Sequence, residues 1–363
     1  MTDPIRIKTL DATKGWGRGR VYDSIAETIG HTPLVRLSRM TKSANANADV
    51  LLKLEFFNPL SSVKDRIGVA MIDVLEAEGR IAPGKTVLIE PTSGNTGVGL
   101  AFVAASRGYR LILVMPDTMS IERRKILAHL GAELVLTPGA KGMPGALERA
   151  QELIATTPDA IEPGQFVNPA NPMVHEKTTA EEIWTQTGGR IDGFVSAVGS
   201  GGTLGGVSLG LKAKRRDIQI ALADVPGAAL HSYYTSGVLK AEGSSITEGI
   251  GQGRVTRNLE GVVVDRSYMI PDAESVAIVF GLLTEEGLCM GGSTGVNVAG
   301  AIRLAREMGP GHTIVTLLCD YGTRYQSKLF NPEFLRAKGL PVPTWLAAPR
   351  QDVPSVFAVP GAA

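Results

Sequence analysis

The chain has 363 residues, more than one hydrophobic core usually serves, so its length implies two domains or one closely joined pair. Hydrophobic residues make up 44% and charged residues 20%, which excludes a disordered chain. A formal net charge of +1 gives no electrostatic reason to expect nucleic acid or an anionic membrane as partner, and no apolar run reaches the ~18 residues that span a bilayer.

The N-terminus lacks a secretory apolar stretch, and Asp3 and Asp11 make it a poor transit peptide, so the cytoplasm is the expected location. In chain order, Val50–Leu54, Thr86–Ile89, Leu111–Met115 and Glu133–Leu136 read as buried strands. Between the first two, Ile67, Ala70, Met71, Val74 and Leu75 recur on one face of a helix that Gly79 ends. Further helices are expected over Thr96–Arg107, Ile121–Leu130 and Pro144–Ala155, and Pro158–Asn171 reads as a crossing between two lobes. The second half repeats the alternation. Strands are expected at Gly193–Val198, Ile218–Ala223, Gly261–Val264 and Thr313–Leu318, and helices at Glu176–Gln186, Leu204–Lys214, Asp272–Glu286 and Val296–Met308. Alternating β and α units imply mostly parallel sheets covered by helices. The tail after Gly339, rich in Pro and Ala, reads as loosely packed.

In such sheets ligands bind beyond the carboxyl ends of strands, so the loops that follow strands carry the chemistry. The first is Asn58-Pro59-Leu60-Ser61-Ser62-Val63-Lys64-Asp65-Arg66, which opens a helix. Lys64 falls in the first turn, where the helix dipole disfavours an ammonium and favours the neutral amine that imine formation needs. The alternative is a solvated lysine beside an Asp-Arg pair; Asp65 and Arg66 themselves read as fixing the helix start. The second loop, Pro91 to Gly97, holds Thr92, Ser93, Gly94, Asn95 and Thr96 around free N–H groups of a helix start. It suits a carboxylate or a phosphate, or else is a capped turn with no ligand. The third, Gly199, Ser200, Gly201, Gly202 and Thr203, has three glycines in four residues, which lets backbone wrap a phosphate or pack closely. It is not a nucleotide P-loop, since no Lys-Ser/Thr pair follows. The fourth, Gly291 to Gly295, precedes a helix and is weak alone. Cys289 and Cys319 form no C-x-x-C pair and read as buried thiols. The five histidines, His175 among them, show no metal spacing, so they read as structural and no metal is expected.

Together these segments resemble the cysteine synthase (O-acetylserine sulfhydrylase) branch of the fold-type II pyridoxal-phosphate enzymes, from Ile25 to Leu329. Gly30-His31-Thr32-Pro33-Leu34 matches the family's opening, and Ser62-Val63-Lys64-Asp65-Arg66 its cofactor lysine. Met119–Lys125, Lys141–Ala146 and Gln165–Pro172 are typical of this branch. The resemblance implies an α/β fold, tryptophan synthase β-like. Its two lobes are each a mostly parallel twisted sheet flanked by helices, with pyridoxal 5′-phosphate in the cleft between them. It implies a smaller, mobile lobe at 56–168, a larger lobe at 23–55 plus 169–335, and terminal extensions at 1–22 and 336–363.

By the same resemblance Lys64 binds the cofactor as an imine, Asn95 contacts its O3′, Gly199–Thr203 cups its phosphate and Ser293 faces the pyridine nitrogen. Thr92, Ser93, Gly94, Asn95, Thr96 and Gln165 take the substrate carboxylate, and Gly249, in the Glu248–Gly251 run, lines the substrate cleft. The implied reaction is β-replacement, O-acetyl-L-serine plus sulfide giving L-cysteine through an aminoacrylate, with the released Lys64 amine as base. A hydroxyl rather than a carboxylate at the pyridine nitrogen favours loss of a β leaving group over transamination. The family further implies a homodimer and a complex with serine acetyltransferase, whose C-terminal tail enters the cleft.

Two departures bear on substrate. Gly291-Gly292-Ser293-Thr294-Gly295 is closer to cystathionine β-synthase, and Cys319–Tyr325 replaces a run usually written with Pro and Ser. Cystathionine β-synthase, desulfhydrase or O-phosphoserine-dependent chemistry are the alternatives, with a non-catalytic regulatory homologue further off.

Overall fold

The computed structural model describes residues 21–347 apart from 93 and 120. Among the described residues, ten strands form two sheets. They are β1 (Leu34–Arg36), β2 (Asp49–Leu54), β3 (Val87–Pro91), β4 (Arg110–Pro116), β5 (Glu133–Thr137), β6 (Ala160–Ile161), β7 (Gly193–Ser196), β8 (Gln219–Asp224), β9 (Arg266–Met269) and β10 (Thr313–Leu318). The larger sheet runs β1-β2-β10-β7-β8-β9 and the smaller β5-β4-β3-β6. Every pairing is parallel except β1 with β2.

The expected parallel α/β architecture is therefore present, and its central strands are buried on both faces. In β10, Ile314 and Leu318 enter one core while Val315 and Leu317 enter another. In β4, Leu111, Leu113 and Met115 face one layer of helices, and Ile112 and Val114 the other. This two-residue period is why the strands read as unbroken apolar runs.

One crossing sets the geometry of the cleft. The Lys64–Ala77 helix and the Asn95–Arg107 helix meet at Gly68 and Gly99. A Cβ on Gly68 would lie 2.7 Å from the Gly99 carbonyl carbon, and one on Gly99 would lie 2.8 Å from the Lys64 carbonyl oxygen. Backbone thus approaches backbone, and the start of the first helix is brought against the start of the second.

Three differences from the sequence reading have local causes. Gly261–Val264 is not a strand. Gly261 is left-handed (φ 74°), and the amide of Val262 turns back to Leu259, so pairing with β8 begins only at Arg266. The helix expected from Glu176 starts earlier, at Ala170, and carries a π-helical turn over His175–Thr179. The segment after Gly339 docks as far as Ala347. Leu340, Val342 and Leu346 pack on a core around Val276 and Phe280, with the Trp345 ring edge-on to Phe280 at 5.6 Å. The rest of that tail, 348–363, and nearly all of the 1–22 extension lie outside the described residues.

Candidate active site

The carboxyl ends of β3, β7 and β10 converge on one cavity of about 230 Å³ between the two sheets. Lys64, Thr92, Gly94, Asn95, Thr96, Gln165, Gly199, Ser200, Gly201, Thr203, Gly249 and Ser293 all line it. Four loops, from that of Lys64 to that of Ser293 more than two hundred residues later, therefore share one space. Ser93 lies outside the described residues. Gly202 lies behind the cavity wall as the first residue of the Gly202–Lys214 helix.

Lys64 is the first residue of its helix. Asp65 pins that turn, its carboxylate accepting from the Leu60 amide at 2.6 Å and from Ser62 Oγ at 3.2 Å. Burial pushes the Asp65 carboxyl up to about 7. Burial also lowers the pKa of the Lys64 amine, against the opposing pull of Cys319 and Asp320. Desolvation is thus the main cause of the shift of this amine.

The glycine loop after β7 makes an anion cup. Its helix start offers N–H groups that have no partner within the helix. Gly201 is left-handed (φ 91°), and a Cβ on Gly202 would lie 1.8 Å from Asn171 Oδ1. Asn171 Nδ2 donates to Ser200 Oγ (2.9 Å) and to the Gln165 carbonyl (2.7 Å), and Thr256 Oγ1 and Asn258 Nδ2 both donate to the Ser200 carbonyl at 2.8 Å. A buried framework therefore holds the cup open. A Gly202→Ala substitution should push Asn171 into this framework and lower the affinity for pyridoxal phosphate more than tenfold. Titration of the apo-protein by absorbance checks this, and unchanged affinity would contradict it.

His175 is buried with Nδ1 on Thr179 Oγ1 (2.9 Å) and Nε2 on Thr203 Oγ1 (3.2 Å). Burial lowers its pKa to about 3, so the ring is neutral and braces the cup's last hydroxyl.

On the opposite side, Thr96 Oγ1 donates to Gln165 Oε1 at 2.7 Å, which closes the hydroxyl-rich loop onto Gln165. Gln165 is delivered there by Glu90, the penultimate residue of β3, whose carboxylate accepts the amides of Gly164 (2.8 Å) and Gln165 (3.2 Å). Burial, helped by Glu162, raises the Glu90 carboxyl to about 8, although the two amides work the other way. A carboxyl raised from 4.5 to about 8 binds more protons folded than unfolded across that interval. Stability is then greatest below about pH 4.5 on this account and falls as pH rises through about 8. Glu90→Gln should flatten the decline in melting midpoint between pH 5 and 8; an unaltered pH slope would rule Glu90 out as its source.

Four titratable cavity residues drew no site role from the sequence: Cys319, Asp320, Tyr325 and Arg123. Cys319 and Asp320 follow β10. Burial raises the Cys319 thiol to about 11, with Ser293 hydrogen-bonded to it, and Asn297 Nδ2 reaches its sulfur at 3.2 Å. Arg123 pairs with Glu248 at 2.8 Å. The signal available was position alone, since the Cys319–Tyr325 run follows a strand end.

A family model described as pyridoxal-phosphate dependent enzyme matches residues 25–320. Cysteine synthase A of Escherichia coli (strain K12) is 44% identical over 326 residues, covering 88% of this chain and 99% of that protein. The chain belongs to the cysteine synthase family of pyridoxal-phosphate-dependent enzymes. Among solved structures, O-acetyl serine sulfhydrylase isoform 3 from Entamoeba histolytica superposes with a TM-score of 0.79 at 41% identity, over 86% of this chain and 92% of that one. The O-acetylserine-dependent cystathionine beta-synthase from Helicobacter pylori gives the same TM-score at 33% identity, over 85% and 98%. This cysteine synthase family member thus has the fold-type II architecture that its motifs implied, and pyridoxal phosphate is its cofactor. The cavity fits that group. It offers a desolvated amine, a glycine cup for a phosphate and a neutral hydroxyl, Ser293.

Proposed function

We propose that the protein forms L-cysteine from O-acetyl-L-serine and sulfide, with Lys64 as the residue that carries the cofactor. The observation that carries this reading is the half-buried Lys64 amine, its pKa lowered by desolvation, in the same cavity as the anion cup and the Thr96–Gln165 pair. When bound, pyridoxal phosphate supplies an aldehyde for an amine to join and a ring that takes up electrons from the substrate.

The chain's own residues do the rest. Gly199–Thr203 would hold the phosphate at a helix start, and Asn95 and Ser293 would hold the ring, through its O3′ and its nitrogen. Thr92–Thr96 and Gln165 hold the substrate carboxylate, which points the Cα–H bond toward Lys64. The freed Lys64 amine takes that proton, helped by a low-dielectric setting that favours its neutral form. Residues 56–168 act as the smaller, mobile lobe closing on the carboxylate and excluding water, against a larger lobe of 23–55 and 169–335.

The assay is direct. O-acetyl-L-serine should shift the visible band of the holoenzyme, and sulfide should restore it with release of L-cysteine. No band shift with O-acetyl-L-serine would reject the reading. A second thiol is favoured by the Helicobacter pylori neighbour and by the Gly291–Gly295 run, so homocysteine is tested beside sulfide. Faster turnover with homocysteine would replace the cysteine reading by cystathionine synthesis.

A homodimer and a complex with the C-terminal tail of serine acetyltransferase are proposed from family membership, to be checked by light scattering with and without the tail peptide. Among the described residues no helix is long and apolar enough to cross a membrane, and a cytoplasmic site of action is proposed.

A further inference from the structure

We infer that Asp320 and Arg324 are positioning residues that fix the side-chain amide of Asn95, so that one N–H of its Nδ2 is turned to the cofactor. The inference rests on the placement of Asn95 against the cofactor's O3′ proposed above.

Asn95 begins the Asn95–Arg107 helix, on the side of the small sheet, while Asp320 and Arg324 follow β10 of the large sheet. Asn95 Nδ2 donates to Asp320 Oδ2 at 2.6 Å, across 225 residues of sequence. On the other side of the same amide, the Arg324 guanidinium donates to Asn95 Oδ1 and also to the Leu60 carbonyl. A guanidinium can only donate, and Asp320 Oδ2, which also receives the Tyr325 hydroxyl, can only accept. The two partners therefore determine which end of the Asn95 amide is nitrogen. An amide nitrogen has two N–H bonds; one is spent on Asp320 and the second remains to face the cavity that Asn95 and Asp320 both line.

Asp320 is itself held rigidly. Its backbone bridges to Ser62, two residues before Lys64, and its Oδ1 sits where a Cβ on Gly291 would come within 2.2 Å. Asp320 Oδ1 is buried and has no hydrogen-bond partner, so the carboxylate is held by Oδ2 and by packing, not by a solvent shell. The same residue that orients Asn95 is thus tied to the loop that presents Lys64. Asn95 and Lys64 are set relative to one another by one side chain.

The test compares Asn95→Ala, Asp320→Ala, Asp320→Asn, Arg324→Met and the double variant Asn95→Ala/Asp320→Ala, each loaded with pyridoxal phosphate. The readouts are the wavelength of the visible band, the pH at which it titrates, and cofactor affinity from titration of the apo-protein. Asn95→Ala, Asp320→Ala and Arg324→Met should move the band titration in the same direction. Each should weaken cofactor affinity roughly three- to tenfold, the scale of one hydrogen bond. The double variant should shift no further than Asn95→Ala alone, and Asp320→Asn, which keeps an oxygen acceptor, should retain most of the wild-type spectrum.

Additive shifts in the double variant, or wild-type spectra for Asp320→Ala and Arg324→Met beside a shifted Asn95→Ala, would overturn the inference. A wild-type spectrum for Asn95→Ala would show instead that Asn95 does not meet the ring, and the inference would fall with that placement. If Asp320→Ala does not fold, Arg324→Met alone decides between these outcomes.

Discussion

A Lys64→Ala variant should be colourless after dialysis and should turn over O-acetyl-L-serine and sulfide at least about 10³-fold more slowly, since loss of a positioned base alone costs 10²–10⁴-fold and the covalent hold on the cofactor goes with it. Lys64→Arg should be no better, because a guanidinium stays charged and cannot supply a neutral amine. Both variants should keep their circular dichroism, because Asp65 and Arg66 pin the turn independently of the lysine side chain. Absorbance spectra and steady-state kinetics on the same samples check the prediction. A yellow Lys64→Ala protein with near-normal turnover would remove Lys64 from its proposed role.

The second large effect concerns stability rather than chemistry. Arg66 is 1% exposed and lies two residues after Lys64, in the same first turn of the helix. Its guanidinium donates to Glu55 from Nε (2.7 Å) and Nη2 (2.8 Å) and to Glu182 from Nη1 and Nη2, both at 2.8 Å. Glu182 also pairs with buried Lys53 at 2.7 Å and accepts the amides of His31 and Thr32. The cluster ties the end of β2, the Lys64 helix, the Ala180–Gln186 helix and the chain's entry at Gly30 into one knot. Arg66→Met would leave the buried Glu55 carboxylate without its guanidinium and Glu182 with Lys53 as its remaining cation, and should cost about 3–5 kcal/mol, the usual price of halving a buried ion pair.

The same knot makes the protein acid-sensitive. Burial opposes the charged form of Glu182, but hydrogen bonds and charge from Arg66 and Lys53 outweigh it and hold the carboxyl well below its usual 4.5. A depressed carboxyl contributes stability above its unfolded pKa and loses it as pH falls toward the folded one. The wild type should therefore lose stability below about pH 4.5, and Arg66→Met should lose much of that acid dependence along with its overall stability. Denaturant melts at pH 7 and pH 4 measure both. An Arg66→Met protein as stable as wild type at pH 7 would show that the knot is not a source of stability.

What could be read before any coordinates was whatever the chain states locally. The two-residue alternation in β4, β8 and β10 fits strands covered on both faces, and their order with the intervening helices implied parallel sheets. Where local signals were ambiguous the reading slipped. Val262 and Val264 look like a strand, yet the left-handed Gly261 delays pairing until Arg266. The loops at Lys64, Thr92–Thr96, Gly199–Thr203 and Ser293 were legible because each is a short run with its own chemistry placed between a strand and a helix. The π-helical turn that aims His175 at Thr203 was not, because an extra residue in a helical turn leaves no mark on periodicity.

By itself, then, the sequence identified the cofactor through its resemblance to a known family, and it marked Lys64 and the four loops as candidates, since each depends on residue types within a few positions of one another. The tertiary structure decided how deeply the Lys64 amine is buried, which glycine crossing sets it against Asn95, and which residues stand behind them. Asp320, Arg324, Cys319 and Glu90 act through partners up to 264 residues away. Long-range hydrogen bonding and close packing have no local signature, so only the folded chain brings those groups within reach of one another.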